Sequence, residues 1–201
     1  MIKNVVFDIG GVLVDFCPDK HLLSTGMSPE RVKAVMKATV LSPWWVEVDR
    51  GFIPLETVIK GMKEANPEIA KDIDFLFAQD YGKFVIPRDY SGPWLKSMKE
   101  RGMNVYLLTN YPDMIFDVHY ERCFPFTESV DGMVVSAKEY KVKPDPDIYR
   151  ILLEKYDLKP EECVFIDDRA ENIEAAKILN FNAIRFTNID EVKEKLDKLL
   201  S

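Results

Sequence analysis

The chain has 201 residues, of which 47% are hydrophobic, enough to build a globular core in one domain or two small ones. Its net charge of −7, from 34 acidic and 27 basic residues, argues against a nucleic-acid partner, because binding to a phosphate backbone relies on a basic face. The three cysteines match no zinc or disulfide spacing, no run of residues is long enough to span a membrane, and no signal peptide is visible, so we expect a soluble cytoplasmic protein.

The first fifteen residues predict a buried strand that ends in an acid. An apolar run at residues 5–7 is followed by Asp8, and Gly10 and Gly11 then break the chain. Open α/β sheets bind ligands at the carboxyl ends of their strands, so Asp8 is a candidate site residue. The same residues also suit an ordinary turn, and on this stretch alone the turn is the better interpretation.

Residues 16–85 carry a pattern that predicts helices and no strand. Ser28-Pro29-Glu30, Pro54 and Asn66-Pro67 are helix-start signals, and apolar residues follow them at helical spacing. Several side chains of this segment are candidates to face a substrate, although each has an equally good structural explanation. They are Phe16, His21, Trp45, Asp49 and Arg50.

From residue 86 onward the pattern alternates between helices and strands. Strands are predicted at residues 104–110, 133–136, 163–166 and 182–186. Strands that alternate with helices imply a parallel, doubly wound sheet with right-handed crossovers. We therefore predict an α/β core of residues 1–15 and 86–201, with residues 16–85 inserted as a helical cap. A cap beside the ligand-binding edge can close over a substrate and exclude water.

Reactive side chains follow three of the predicted strands and precede one helix. They are Asp8, Thr109 with Asn110, Lys143, and Asp167 with Asp168. Because parallel strands end at the same edge of a sheet, these groups are expected to meet in space. Each has an ordinary explanation by itself, but their joint occurrence at strand exits is improbable by chance.

These residue types suit phosphoryl transfer. Carboxylates supply the hard oxygen ligands that Mg²⁺ prefers, and the cation lets an anionic nucleophile approach a phosphate. Asp8 can then attack phosphorus to form an aspartyl-phosphate. Thr109 and Lys143 can stabilise charge on the transferred oxygens before water completes the reaction.

Four segments resemble the motifs of the haloacid dehalogenase (HAD) superfamily. They are VVFDIGG, VYLLTN, KVKPDPDIY and FIDDRAEN, in the order of the first to fourth motifs and spread over nearly the whole chain. The resemblance implies a Rossmann-like core, a helical cap after the first motif and Mg²⁺-dependent phosphatase activity. It implies that Thr109 and Lys143 hold the phosphoryl group, and we expect Asn110 to bind the substrate beside them.

The resemblance also implies the metal site and the nucleophile. Asp8 would be both the nucleophile and a metal ligand, and Gly10 would contribute its backbone carbonyl to Mg²⁺. Asp168 would be a metal ligand, and Asp167 would support the metal directly or through water. Asn172 matches a position that often orders this loop.

One departure from the family pattern concerns the general acid. Most phosphatases of the superfamily carry Asp two residues after the nucleophile, where this chain has Gly10. Such a group is typically worth ~10²–10⁴ in rate. Substrate, water or a cap residue must replace it, and we expect a steep dependence of rate on leaving-group pKa. Asp15 is the nearest acid, and we expect a structural role for it.

Two groups of relatives also lack that Asp. Haloacid dehalogenases work without metal, whereas the pair Asp167-Asp168 favours a metal. The bacterial α-D-glucose-1-phosphate phosphatase group resembles the chain more closely, including Asp15 and the Asp49-Arg50-Gly51 stretch.

The function predicted from the sequence is a Mg²⁺-dependent phosphatase of small phosphorylated metabolites, with sugar phosphates as the expected class. Two alternatives stay open: a dehalogenase-like hydrolase that acts at carbon, and a catalytically weak HAD-fold protein that binds a phosphometabolite or a protein partner. We expect no nucleic-acid or membrane partner, and a monomer or small homo-oligomer.

Overall fold

A parallel sheet forms the centre of the protein in the computed structural model, which describes residues 1–200. The strands are β1 (Asn4–Phe7), β2 (Val14–Phe16), β3 (Val85–Pro87), β4 (Asn104–Thr109), β5 (Gly132–Val135), β6 (Cys163–Asp167) and β7 (Asn182–Arg185). Five of them form one sheet in the order β5-β4-β1-β6-β7, and every neighbouring pair in it is parallel. Because β1 lies between β4 and β6, the residues that follow these three strands meet at one edge.

Helices make up most of the rest of residues 1–200. They are α1 (Pro18–Ser24), α2 (Pro29–Ala38), α3 (Trp44–Arg50), α4 (Leu55–Ala65), α5 (Ala70–Phe77), α6 (Ser91–Glu100), α7 (Asp113–Arg122), α8 (Ser136–Glu139), α9 (Pro146–Lys155), α10 (Ala170–Ile178) and α11 (Ile189–Leu200). Among the residues that the structure describes, no helix is both long and apolar enough to cross a membrane. The predicted α/β class with a parallel central sheet is confirmed.

The sheet is buried on both faces, which explains the continuous apolar runs of its strands. Successive residues of β1 point to opposite faces, so that Val5 and Phe7 pack in one apolar cluster and Val6 packs in another. Trp94 of α6 belongs to the first cluster, and Ile148 of α9 belongs to the second. Packing on both sides fixes β1, and with it the position of Asp8.

The segment between β2 and β3 contains α1–α5 and has apolar clusters of its own. Ser28 begins α2 as predicted, since its hydroxyl accepts a hydrogen bond from the backbone N–H of Arg31. Val35 is fully buried in one cluster, and Met62 is fully buried in the other. This insertion is therefore held together by packing among its own helices.

The prediction that no strand occurs within residues 16–85 is wrong at both ends of that segment. Strands β2 and β3 pair antiparallel, with Phe16 opposite Val85 and Val14 opposite Pro87. A three-residue strand is too short to show a period of two, and this pairing joins residues about seventy positions apart. The predicted boundaries between core and cap fall inside this two-stranded ribbon, and the division into two units stays a prediction.

Candidate active site

The carboxylates predicted to share the sheet edge lie together in the structure. Asp8 follows β1, Asp167 ends β6 and Asp168 comes next. One carboxylate oxygen from each residue lies within 4.8 Å of those of the other two. Three acids at this distance repel one another unless cations compensate their charge.

Lys143 is the cation at the centre of this cluster. Its Nζ lies 2.9 Å from Asp8 Oδ1 and 2.7 Å from Asp167 Oδ2, and it donates to the carbonyl oxygen of Leu108 at 2.9 Å. Burial alone lowers the pKa of Lys143, but Asp8 and Asp167 together raise it above its ordinary value. The lysine is therefore charged, and its three contacts hold the ammonium group between the two carboxylates.

Asn110 holds the backbone of this lysine. Its side-chain oxygen accepts a hydrogen bond from the Lys143 N–H at 2.7 Å, and its side-chain nitrogen donates to the Lys143 carbonyl at 3.0 Å. The amide therefore links the end of β4 to the segment that carries the lysine. The predicted contact between Asn110 and a substrate stays a prediction, and these bonds leave its side chain mainly a positioning role.

Burial makes ionisation of Asp8 costly. Only 7% of the residue is exposed, and burial raises its pKa to about 7, with Lys143 opposing the rise and Asp167 adding to it. Its Oδ1 also accepts a hydrogen bond from the Ile9 N–H at 2.7 Å. Since one lysine faces several acids here, a further positive charge would favour the ionised form of Asp8.

Asp167 is occupied by hydrogen bonds from within the protein. Its Oδ1 accepts from the Arg169 N–H at 2.8 Å, and both of its oxygens accept from the Asn172 side chain at 3.0 Å. Its Oδ2 also faces Lys143. This residue is placed to orient the lysine and Asn172, and its predicted role at the metal is better served through water than by direct contact.

Asp8 and Asp168 are the carboxylates best placed to hold a divalent cation. Asp168 is half-buried, and burial together with Asp167 raises its pKa. Its carboxylate lies against Gly11, where an added Cβ would stand 2.5 Å from Asp168 Oδ2. Gly11 also has a φ of +73°, so only glycine fits at this point. A set of hard carboxylate oxygens suits Mg²⁺, and the residues present therefore fit the predicted metal.

Thr109 contributes a hydroxyl with no partner. The residue ends β4 and is 1% exposed, and its Oγ1 makes no hydrogen bond to any residue that the structure describes. Leaving a buried polar atom unsatisfied costs about 1–3 kcal/mol. An oxygen of a bound phosphoryl group would satisfy this hydroxyl.

A small cavity opens beside the carboxylate cluster. Its volume is about 130 Å³, and its lining residues are Gly10, Phe16, Trp45, Asp49, Asn110, Tyr111 and Pro112. A larger cleft of about 680 Å³ lies at Arg88 and Lys96 and includes none of the predicted site residues. The smaller cavity is the candidate for the organic part of a substrate, because its lining includes both Gly10 and Asn110.

Of the five insertion residues proposed to face a substrate, the cavity includes three: Phe16, Trp45 and Asp49. His21 instead contacts Gln79 at 3.1 Å, and Arg50 pairs with Glu47 at 3.3 Å. The sequence did not single out Tyr111 or Pro112 as lining residues. Their position directly after Thr109-Asn110 was the available signal, since loops that follow sheet strands line such sites.

Asp15 has the structural role that the sequence predicted. Its carboxylate pairs with Arg88, whose Nη2 lies 2.7 Å from Asp15 Oδ1, and Asp15 is absent from the small cavity. The pair joins β2 to the residue that follows β3. Asp15 therefore ties the two-stranded ribbon to the chain beyond it.

A family model of haloacid dehalogenase-like hydrolases matches residues 2–180. The chain belongs to this family. The HAD resemblance and the prediction that the protein is an enzyme are thereby confirmed, while membership of the glucose-1-phosphate phosphatase group stays a prediction.

The relatives of this HAD hydrolase include two phosphatases and a dehalogenase. It is 27% identical to the sesquiterpene phosphatase astK of Aspergillus oryzae, over 92% of this chain and 90% of the relative. It is 25% identical to the D-ribitol-5-phosphate phosphatase of Bacteroides thetaiotaomicron, over the full length of both. It is 33% identical to (S)-2-haloacid dehalogenase 1 of a Pseudomonas species, over 96% of this chain and 88% of the relative.

A solved structure shares the fold. A HAD family enzyme of Bacteroides thetaiotaomicron, determined in complex with magnesium and inorganic phosphate, matches with a TM-score of 0.71 and 23% identity. The match covers 93% of this chain and 95% of that one.

Proposed function

We propose that this HAD hydrolase is a Mg²⁺-dependent phosphatase that works through an aspartyl-phosphate on Asp8. The observation that carries the proposal is the meeting of Asp8, Lys143 and the unsatisfied Thr109 hydroxyl beside a three-carboxylate cluster. Phosphoryl transfer needs a nucleophile, groups that stabilise the phosphoryl oxygens, and ligands for a divalent cation. Two phosphatases among the relatives, and the neighbour bound to magnesium and phosphate, support the same activity.

Each site residue has its own role in the first step, the formation of the aspartyl-phosphate. Asp8 Oδ1 is held by Ile9 and Lys143, so Oδ2 is the oxygen that attacks phosphorus. Lys143 and Thr109 stabilise negative charge on the phosphoryl oxygens as the bond to the leaving oxygen breaks. Bound Mg²⁺, held by Asp8, Asp168 and the carbonyl of Gly10, would supply the additional charge neutralisation.

The cavity supports a compact substrate. Phe16, Trp45 and Tyr111 give it aromatic walls, and a volume of about 130 Å³ suits a small organic group better than a sesquiterpene chain. Sugar carbons can pack on aromatic rings while the hydroxyl groups bond polar neighbours. We therefore propose sugar or sugar-alcohol phosphates as the substrate class, in line with the relative that is named for D-ribitol 5-phosphate.

A hydrolase that acts at carbon is the second candidate, because one relative at 33% identity is a haloacid dehalogenase. The Asp8 nucleophile would serve that chemistry equally well. The carboxylate cluster is what favours the phosphatase, since grouped acids repel an anionic substrate unless a cation is bound.

One experiment separates the two candidates. Turnover of p-nitrophenyl phosphate is expected with Mg²⁺ and is expected to disappear with EDTA. The same protein is assayed for chloride release from 2-chloropropionate. Metal-independent chloride release without phosphatase activity would overturn the proposal, and a panel of phosphorylated sugars then ranks substrates by kcat/KM.

A further inference from the structure

The position where most related phosphatases carry an acid is open space in this structure. A Cβ built on Gly10 meets nothing within 4 Å, and Gly10 itself lines the small cavity. No neighbouring side chain has therefore filled the place of the missing carboxyl. A carboxyl that serves the leaving group must reach this cavity from elsewhere in the fold.

Asp49 supplies a carboxyl to this cavity. It is the only acidic side chain among the residues that line the small cavity, where it stands with Gly10 and Asn110. Asp49 belongs to α3, which is part of the helical insertion between β2 and β3. The cavity holds the leaving group if Asp8 holds the phosphoryl group, so Asp49 borders the space where the leaving oxygen departs.

The end of α3 is fastened to the core, which fixes this carboxyl. The fully buried Ser136 hydroxyl donates a hydrogen bond to the Asp49 carbonyl at 2.5 Å and accepts one from the Tyr111 N–H at 2.9 Å. Ser136 thus joins the helix to the loop that follows Thr109 and Asn110. The position of Asp49 relative to the phosphoryl site is therefore set by a buried contact.

The same junction contains a second close contact between the helix and the core. Gly51 ends α3 with a φ of +70°, and a Cβ at this glycine would lie 2.9 Å from the Cβ of Ala137 in α8. The helix end and α8 therefore pack backbone against backbone. Such packing fixes the backbone from which the Asp49 side chain extends.

We propose that Asp49 is the general acid and base of this enzyme, in place of the carboxyl that is absent at Gly10. The inference rests on the proposed phosphatase activity. In the first step, Asp8 bonds to phosphorus, the bond between phosphorus and the leaving oxygen breaks with its electron pair going to that oxygen, and the Asp49 proton moves to it. In the second step, water bonds to phosphorus, Asp49 takes the proton of that water, and the bond to Asp8 breaks to release phosphate. Asp49 ends the cycle protonated, as it began.

The protonation behaviour of Asp49 agrees with this role. Burial raises its pKa to about 8 and Asp8 adds to the rise, while Lys143, Arg169 and a hydrogen bond from the Trp45 side chain oppose it. At neutral pH the carboxyl of the metal-free protein thus carries the proton that a general acid must donate.

The test is the dependence of the single-turnover rate on leaving-group pKa in wild type and in Asp49→Asn. A series of aryl and alkyl phosphates is used at saturating Mg²⁺. The rate of the first step is read from release of the leaving alcohol, because loss of the base slows the second step for every substrate. Asp49→Asn is expected to lose less of this first-step rate on p-nitrophenyl phosphate than on alkyl phosphates, because the p-nitrophenolate leaving group needs little protonation. Its rate on alkyl phosphates is expected to fall by ~10²–10⁴, the usual worth of a general acid.

Two further variants distinguish an acid from a structural residue. Glu47→Gln removes a carboxyl from the same helix but outside the cavity, and it is expected to keep the wild-type dependence. Gly10→Asp combined with Asp49→Asn is expected to recover much of the lost rate on alkyl phosphates, since a side chain at residue 10 has free space. Melting temperatures of all variants check that each one is folded.

The outcomes separate the inference from the activity on which it rests. An equal loss of the first-step rate across all leaving groups in Asp49→Asn, or a steep dependence already present in wild type, would overturn the role of Asp49 and leave the phosphatase proposal standing. Absence of wild-type turnover on every phosphate would overturn both.

Discussion

At the scale of single residues, the site is organised by the balance of charge around Lys143. One buried ammonium faces Asp8 and Asp167, and Asp168 is close to both acids. One positive charge among three carboxylates leaves the cluster with an excess of negative charge, which a divalent cation would compensate.

The first prediction concerns Asp8→Asn, which keeps the shape of the side chain and removes the proposed nucleophile. Turnover is expected to fall to background. In EDTA the variant is expected to be as stable as wild type or more so, because the folded protein raises the pKa of Asp8 to about 7 from an ordinary 3.8. A raised pKa means that ionisation of Asp8 costs stability as the pH rises through 7, and the variant lacks this cost.

The measurement is thermal unfolding of both proteins in EDTA at pH 6 and pH 8. The advantage of the variant should be larger at pH 8. A variant that is clearly less stable at both values would contradict this account of Asp8, and substantial remaining turnover would contradict the covalent mechanism.

The second prediction concerns Asp168→Asn, which removes a charge from the proposed metal site and keeps Asp8 and Lys143. We expect the Mg²⁺ concentration for half-maximal rate to rise about tenfold or more, with a smaller effect on the rate at saturating Mg²⁺. The exposed Asp190→Asn is the matched control. A Mg²⁺ requirement that stays at the wild-type value would exclude Asp168 as a ligand.

At the scale of elements, the junction between α3 and α8 decides where Asp49 stands. Two contacts form this junction. The Ser136 hydroxyl donates a hydrogen bond to the Asp49 carbonyl, and Gly51 lies close to Ala137. These contacts join the insertion to the core directly beside the site. A substitution that disturbs this junction should therefore lower both the stability of the protein and its rate on substrates with poor leaving groups.

The third prediction compares Gly51→Ala with Gly102→Ala. Both glycines have positive φ, +70° and +78°, so each substitution is expected to cost about 1–2 kcal/mol of backbone strain. Only at Gly51 would the new Cβ also collide with Ala137, at 2.9 Å, whereas at Gly102 it meets nothing within 4 Å. Chemical denaturation should therefore show the larger loss for Gly51→Ala, and single-turnover rates on alkyl phosphates should fall in that variant alone. Equal losses in both assays would show that the junction is not tightly packed.

The elements also show what the sequence could predict. The strands β4 and β6 were predictable because long apolar runs are the signature of a strand buried on both faces, and Thr109 and Asp167 follow from where those runs end. Asp49 was only one of several candidates, because its place depends on how the insertion packs on the core. No periodic pattern encodes the bond between Ser136 and Asp49, which joins residues 87 positions apart.

The expected dependence of rate on leaving-group pKa differs between the sequence and the structure, because only the structure shows how the insertion packs on the core. The absence of an acid at Gly10 predicts a steep dependence from the sequence alone. The structure places Asp49 in the same cavity as Gly10, and on this basis a shallow dependence is expected instead.

At the scale of the whole molecule, a second buried contact joins the helical insertion to the core. His119 of α7 is fully buried, with Nδ1 2.6 Å from the Tyr111 hydroxyl and Nε2 2.5 Å from the Tyr81 carbonyl. A neutral ring satisfies both contacts when Nε2–H donates to Tyr81 and the Tyr111 hydroxyl donates to Nδ1. This histidine therefore connects the segment that precedes β3 with the loop that lines the cavity.

The last prediction is that His119 makes the stability of the protein fall in mild acid. Burial lowers the pKa of His119 below its ordinary 6.5. Below pH 6.5 the unfolded chain therefore binds a proton at this residue that the folded protein does not, and the contribution of His119 to stability is lost as the pH falls toward its folded pKa. His119→Gln keeps one donor and one acceptor but cannot take up that proton. The difference in unfolding free energy between wild type and His119→Gln, measured by urea denaturation from pH 7.5 to pH 5, should therefore favour wild type most at the higher pH and shrink as the pH decreases. A difference that does not change with pH would show that the ring is not held neutral, and that the contact between Tyr81 and Tyr111 does not depend on its charge.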